Sequence, residues 1–182
     1  KSGVDISPPC ESYEELALLA SSIVMIGVEN EQGEVVSSGS GIMVGEEGFI
    51  LTNFHVIRGG TSFRVRMEDD ENIYRTDEII KYNQALDLAI IRIQKKLKVI
   101  PVYNGEKELV RGQKVVAIGS PLGLFNSVSD GIISGFRKFD GVDIIQFTAP
   151  VSHGSSGGAV LNMNGEIIGV STAVMCEGQN LN

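Results

Sequence analysis

The 182-residue sequence has no tryptophan, two cysteines, two histidines and five prolines. Two cysteines cannot make a disulfide framework, so stability must come from buried apolar surface. Cys10 and Cys176 read as free thiols, with a single bridge between them as the alternative. Two histidines and two cysteines without ligand spacing do not form a zinc site, and no metal or other cofactor is expected. Basic residues are also scarce, with 15 Lys and Arg against 23 Asp and Glu, a formal net charge of -8. With no basic stripe to displace counterions, binding to nucleic acid is not expected. The longest apolar stretch, Leu16 to Val28, is interrupted by Ser21 and Ser22 and is too short to cross a bilayer. The sequence opens on Lys1 rather than Met, so it reads as a mature or excised fragment, with any signal peptide or anchor expected upstream.

What is abundant is glycine: 22 residues, lying mostly between short apolar runs. That is the pattern of an all-β protein with many turns. Ser12-Tyr13-Glu14-Glu15 has the spacing of a capping box, which predicts a short helix through Leu16, Leu18, Leu19 and Ala20. Strands are then expected over 23–28, 41–44, 49–52, 62–67, 73–81 and 88–93. A second set is expected over 114–118, 127–136, 142–147, 159–161 and 167–174. Asn164-Gly165 marks a hairpin between the last two. Lys95 to Lys98 and Pro101 fall between the sets. The expected division is an N-terminal segment at 1–22, a first barrel at 23–100 and a second at 101–182.

Ser152-His153-Gly154-Ser155-Ser156-Gly157-Gly158 is unsuited to a packed core. Its glycines let the backbone approach a ligand and aim several N–H groups at one point, beside a serine hydroxyl. A nucleophile and donors for a developing oxyanion are the two requirements of acyl transfer. With Ser156 as nucleophile, the base must be His55 or His153. His153 is three residues from Ser156, too near along the chain to reach it easily, and reads as an exposed or cleft-lining residue. His55 follows an apolar strand, Leu51-Thr52, where a turn can present it at a cleft. Taken alone, it reads first as a partly buried histidine satisfied by a backbone carbonyl. Asp87 is a lone acid within Ala85-Leu86-Asp87-Leu88-Ala89-Ile90-Ile91 and needs a partner, for which an imidazole N–H is suitable. Taken alone, it reads first as an acid at the mouth of a strand capping a nearby turn. Glu68-Asp69-Asp70-Glu71 reads as a solvated hairpin tip, with a calcium site as the lesser alternative.

The chain order His55, Asp87, Ser156 is one of those known for the Ser-His-Asp triad. Gly154-Ser155-Ser156-Gly157-Gly158 also fits the nucleophile elbow of α/β-hydrolases. That fold requires a helix after the serine and a later histidine. Here strand, turn and strand follow, and no histidine comes after Ser156.

Four segments together resemble trypsin-like serine proteases of the bacterial HtrA (Deg) type. They are Gly39-Ser40-Gly41-Ile42 through Thr52-Asn53-Phe54-His55-Val56-Ile57; Asp87-Leu88-Ala89-Ile90-Ile91; Gly119-Ser120-Pro121-Leu122-Gly123-Leu124 with Val128 to Gly135; and Ile145-Gln146 through Gly169. The resemblance implies two antiparallel Greek-key β-barrels of the chymotrypsin type with the active site between them. It implies endopeptidase activity on unfolded or damaged protein through an acyl-enzyme. His55 would then be general base and acid, Asp87 its orienter and Ser156 the nucleophile. Gly154 and Ser156 would supply oxyanion-hole N–H groups, with Ser155 shaping that loop. Val170, Ser171, Thr172 and Ala173 would pair with extended substrate, and His153 would line the cleft.

Ser155 and His153 depart from the residues usual at their positions, in the loop that must form the oxyanion hole. A resting loop with an unmade hole is therefore one expectation. Glu29 to Ser38 is too short to extend over a neighbouring active site. The family pattern continues with one more strand, which closes the second barrel, and often with a PDZ domain. It also implies a location outside the cytoplasm and, commonly, homo-trimers. A protease-like domain that captures peptides with little turnover is the alternative function.

Overall fold

The computed structural model describes residues 12–120, 125–152 and 154–172. The chain opens with helix α1 (Tyr13–Ala17), whose cap Ser12 accepts a hydrogen bond from the Glu15 N–H at 3.2 Å, as the capping-box spacing predicted. A 3₁₀ turn (Leu18–Ser22) then leads into β1 (Ile23–Glu29). Strands β2 (Val35–Gly45) and β3 (Phe49–Thr52) follow, then the single turn α2 (Phe54–Ile57). Next come β4 (Ser62–Met67), β5 (Asp70–Thr76), β6 (Ile79–Asn83) and β7 (Leu88–Arg92). The second set is β8 (Lys114–Gly119), β9 (Ser127–Phe139), β10 (Val142–Phe147), β11 (Ala159–Leu161) and β12 (Ile167–Val170).

Two antiparallel sheets result, ordered β5-β4-β1-β2-β3-β7-β6 and β10-β9-β8-β11-β12. The pairing of β1 with β4 and of β3 with β7 skips along the sequence, as a Greek-key arrangement requires. Strand β1 is buried on both faces. Val24, Ile26 and Val28 join Ile50, Phe63, Val65 and Ile91 in the core of the first sheet. Ile23 points the other way, into a cluster with Leu16, Ile42, Val116, Ile118, Ala159 and Leu161. A continuous apolar run at 23–28 is the consequence. The second cluster draws on α1 and on both sheets, so it fixes them against one another.

Two expectations are corrected. The strand read over 73–81 is two strands, broken at Asp77-Glu78. β5 pairs with β4 and β6 with β7, at opposite edges of the same sheet. Strand β2 begins at Val35 rather than Gly41, because its exposed first half pairs with β1. The 68–71 tip is a turn with a built ion pair at its end. Asp70 accepts the Tyr74 hydroxyl at 2.6 Å and both Asn72 donors at 2.9 Å, and it meets Lys95 Nζ at 3.0 Å. The Tyr74 hydrogen bond, then Asn72 and Lys95, hold the Asp70 carboxyl far below its usual range. Asp70 in turn raises Lys95. Among the described residues, no group of three His, Cys, Asp or Glu side chains could hold a metal ion, and no helix is long and apolar enough to cross a membrane.

Candidate active site

The register of two strands brings His55 and Asp87 together. β3 pairs antiparallel with β7, Thr52 opposite Ala89. The residues that follow β3 and those that precede β7 must therefore emerge side by side. His55 Nδ1 lies 2.6 Å from Asp87 Oδ2, and the His55 backbone N–H donates to Asp87 Oδ1 at 2.8 Å. One carboxylate thus holds both the ring and the main chain of the histidine. A neutral imidazole that donates from Nδ1 keeps its basic lone pair on Nε2. Both side chains are partly exposed, 28% and 32%, so the pair borders solvent.

Asp87 has φ 54, in the left-handed region that few residues other than glycine adopt. Three hydrogen bonds hold it there. Its carbonyl accepts from the Phe54 N–H at 3.1 Å and from Asn53 Nδ2 at 3.0 Å, and its N–H donates to the Gln84 carbonyl at 3.2 Å. Asn53 is buried, and its place in the sequence does not announce this role. An amide-bearing residue two before a candidate base was the available signal, but its partner is a carbonyl that no local pattern announces.

Ser156 sits on the loop before β11, buried and only 8% exposed. Gly154 and Gly157 take φ 87 and φ 91, so the loop uses the backbone freedom that its glycines allow. The loop is held through its carbonyls. The Gly154 carbonyl accepts from the Ser40 hydroxyl at 2.8 Å. The Ser155 carbonyl accepts from the Ser171 hydroxyl and the Gly158 N–H, each at 2.9 Å. The Ser156 carbonyl accepts from the Ser40 N–H at 2.7 Å. A trans peptide is planar, with C=O and N–H opposed, so fixing the Ser155 carbonyl directs the Ser156 N–H the other way. The Ser155 N–H is taken by the Ser152 carbonyl at 3.0 Å, which suits Ser155 to shaping the loop.

Gly39 shows how close the two halves come. A Cβ built on it would lie 2.6 Å from Val56 Cγ1 and 3.1 Å from the Ser156 carbonyl oxygen. The turn carrying His55 and the loop carrying Ser156 therefore both press on one residue of β2, which must lack a side chain.

Of the residues expected to meet substrate, Val170 ends β12 and Thr172 lies two residues beyond it, so the strand expected over 167–174 stops at Val170; both side chains are half-buried. Ser171 is turned into the protein. Its hydroxyl, N–H and carbonyl all engage the loop, at Ser155, Gly158 and Gly157. His153, Ala173, Cys10 and Cys176 lie outside the described residues. A cavity of about 180 Å³ adjoins the loop, lined by Val151, Ser152, Ser155, Ser171, Ile118 and Ser129 among others.

Comparisons with known proteins agree on one family. The family described as trypsin-like peptidase domain matches residues 39–170. The anti-sigma-I factor RsgI9 of Acetivibrio thermocellus is 36% identical over 170 residues, 92% of this chain and 24% of that protein. A probable periplasmic serine endoprotease, DegP-like, of Bartonella henselae is 37% identical over 144 residues, 76% of this chain and 28% of that protein. The crystal structure of the serine endoprotease from Yersinia pestis superposes with a TM-score of 0.76 at 32% identity, covering 91% of this chain and 58% of that one. That likeness gives the two sheets their architecture, the chymotrypsin-type fold with a short N-terminal helix. The chain spans between 19% and 39% of the length of the curated relatives it matches. With the family match covering most of the sequence and DegP-like relatives beside it, the chain belongs to the trypsin-like peptidase family, of the HtrA (Deg) type.

Proposed function

We propose that the chain is a serine endopeptidase acting through His55, Asp87 and Ser156. The observation that carries this reading is the two-point grip of Asp87 on His55, at 2.6 and 2.8 Å, beside a loop that holds Ser156 by its carbonyls. In the proposed reaction His55 Nε2 takes the proton of Ser156 Oγ as that oxygen attacks a peptide carbonyl carbon. The carbonyl oxygen becomes an oxyanion, received by the N–H groups of Ser156 and Gly154. The C–N bond then breaks, and the departing amine takes the proton from His55. Water, deprotonated by His55, hydrolyses the Ser156 ester and restores the hydroxyl. Asp87 stabilises the imidazolium that forms at each stage.

Unfolded protein chains are the proposed substrates, bound in extended form along Val170 and Thr172. Backbone pairing of that kind gives affinity with little sequence selectivity. A site outside the cytoplasm is the proposed location, in keeping with the DegP-like relative described as periplasmic. A second reading, peptide capture with little turnover, is favoured by one observation: RsgI9, matched over 92% of this chain, is named an anti-sigma factor.

Covalent labelling with a fluorophosphonate separates the two. The enzyme reading expects a single adduct on Ser156, abolished by unfolding and by His55→Ala. A folded chain that leaves Ser156 unlabelled would refute it in favour of capture.

A further inference from the structure

Ser40 is fully buried on β2, and every polar atom it has is used between segments distant in sequence. Its hydroxyl donates to the Gly154 carbonyl at 2.8 Å and accepts the Ser120 N–H at 2.9 Å. Its own N–H donates to the Ser156 carbonyl at 2.7 Å, and its carbonyl accepts the Thr52 hydroxyl at 2.7 Å. Alanine would fill the same place in the β1–β2 pairing, where Ser40 faces Met25. Only the two bonds of the hydroxyl require serine.

Those bonds do not end at Ser120. The Ser120 hydroxyl donates to Asn126 Oδ1 at 2.8 Å. Asn126 Nδ2 donates to the Ala20 carbonyl at 2.6 Å and to the Ile23 carbonyl at 3.2 Å. Ala20 lies in the 3₁₀ turn after α1, and Ile23 is the first residue of β1. A line of hydrogen bonds between neutral groups thus runs from the N-terminal helical segment, through Asn126, Ser120 and Ser40, to the carbonyl of Gly154. We propose that Ser40 is a positioning residue for the nucleophile loop, and that it couples the loop to the N-terminal helical segment through Ser120 and Asn126. The activity consequence rests on the catalytic reading of Ser156, whereas the structural consequence does not.

The physical argument concerns rotation of peptide planes. The 154–155 peptide is held at both faces, its carbonyl by Ser40 and its N–H by the Ser152 carbonyl. Removing the Ser40 hydroxyl frees one face and leaves the Ser120 N–H, in the interior, without its acceptor. The loop then samples orientations in which the Ser156 N–H no longer points at one place. Loss of a single oxyanion donor costs about 10² to 10³ in rate. Partial misorientation should therefore cost about tenfold to hundredfold.

The test compares Ser40→Ala, Asn126→Ala and the double variant with the parent, by fluorophosphonate labelling of Ser156 and by amide hydrogen exchange over 154–158. Ser40→Ala should label about tenfold to hundredfold more slowly, with faster exchange in the loop and an unchanged acid limb of the pH profile, because the His55–Asp87 pair is untouched. Asn126→Ala should move both readouts in the same direction, less far, and should add nothing on the Ser40→Ala background. A folded Ser40→Ala variant with parental labelling and exchange overturns the proposal. So does full additivity of the two substitutions, which would mean that no coupling runs between them. If Ser40→Ala does not fold, Asn126→Ala alone decides, since parental exchange over 154–158 in that variant breaks the chain at its middle. If the parent is never labelled yet exchange still rises in Ser40→Ala, the catalytic reading fails and the positioning role stands.

Discussion

Gly157→Ala is the substitution whose outcome follows most directly from the geometry. Gly157 has φ 91, where a residue with a side chain is strained by about 1–2 kcal/mol. A Cβ built there would lie 2.5 Å from Thr52 Oγ1 and nearer still to the Ser40 carbonyl oxygen, against a floor of 3.0 Å for real contacts. Both obstacles are buried, and one is backbone, so neither can swing aside. The loop must withdraw by about 1 Å, and a displacement of that size at a reacting group costs about 10² in rate. It must also stretch the Ser40 N–H bond to the Ser156 carbonyl and the Thr52 bond to Ser40, each worth about 1 kcal/mol. Strain and lost bonds together come to about 3–4 kcal/mol. In a chain of this length that lowers Tm by about 6–16 °C. The assay pairs thermal melting with the rate of fluorophosphonate labelling at Ser156. The control is Gly112→Ala, also at positive φ (89) but with nothing within 4 Å of its built Cβ. The control should lose about 1–2 kcal/mol and no labelling rate. A folded Gly157→Ala variant that labels as fast as the parent, or a control that fails equally, would refute the reasoning.

Asp87→Asn should leave the fold intact yet lower turnover by about 10⁴, because the amide reverses the donor and acceptor roles at His55 Nδ1. Steady-state kcat on an unfolded protein substrate measures it, and a loss under tenfold would contradict the assigned role. Asp70→Asn should lower Tm at neutral pH by removing the acceptor of Tyr74 and Lys95. The Asp70 carboxyl is held below its unfolded value, so its contribution is present above the usual carboxylate range and is lost only as pH falls through the depressed value. The Tm gap should thus persist from pH 7 to pH 5 and close only in strong acid. A gap that vanished by pH 5 would contradict this. Phe63→Ala, at the centre of the first core, should cost about 3–5 kcal/mol in chemical denaturation while sparing the labelling of Ser156 under folding conditions.

The elements legible in the sequence were those defined by local pattern. Apolar runs between turn residues located β3, β4, β8, β10 and β11 at their observed bounds or within one residue of them. Ser12 to Glu15 located α1, and Asn164-Gly165 located the β11–β12 turn, where Gly165 takes φ 77. What failed depended on distant partners. Ser37 to Gly39 look like loop, but they are strand because β1 lies alongside. Ile73 to Lys81 look continuous, but the halves pair with different strands. The same division holds at the candidate site. His55, Asp87 and Ser156 stood out as candidates because histidines are rare, a lone acid in an apolar run is conspicuous, and glycines mark the loop. Ser40 and Asn53 were not, since their partners are main-chain carbonyls 114 and 34 residues away. A serine among many says nothing until the chain has folded around it.

The two halves of the candidate site are built differently, and the difference says where control can act. His55 and Asp87 are locked by bonds made within the first sheet and its turns, from Asn53, Phe54 and Gln84. The Ser156 loop, in contrast, is held by residues reaching in from elsewhere, by the hydroxyl and N–H of Ser40 on β2 and by the hydroxyl, N–H and carbonyl of Ser171 just after β12. Each such bond contributes only about 1 kcal/mol, so a modest change at either anchor is enough to redistribute the loop between conformations. The imidazole–carboxylate pair would be unmoved by the same change. Regulation of this protein should therefore appear as a change in the reactivity of Ser156 at constant pH dependence, because the loop is the part whose geometry other segments can set.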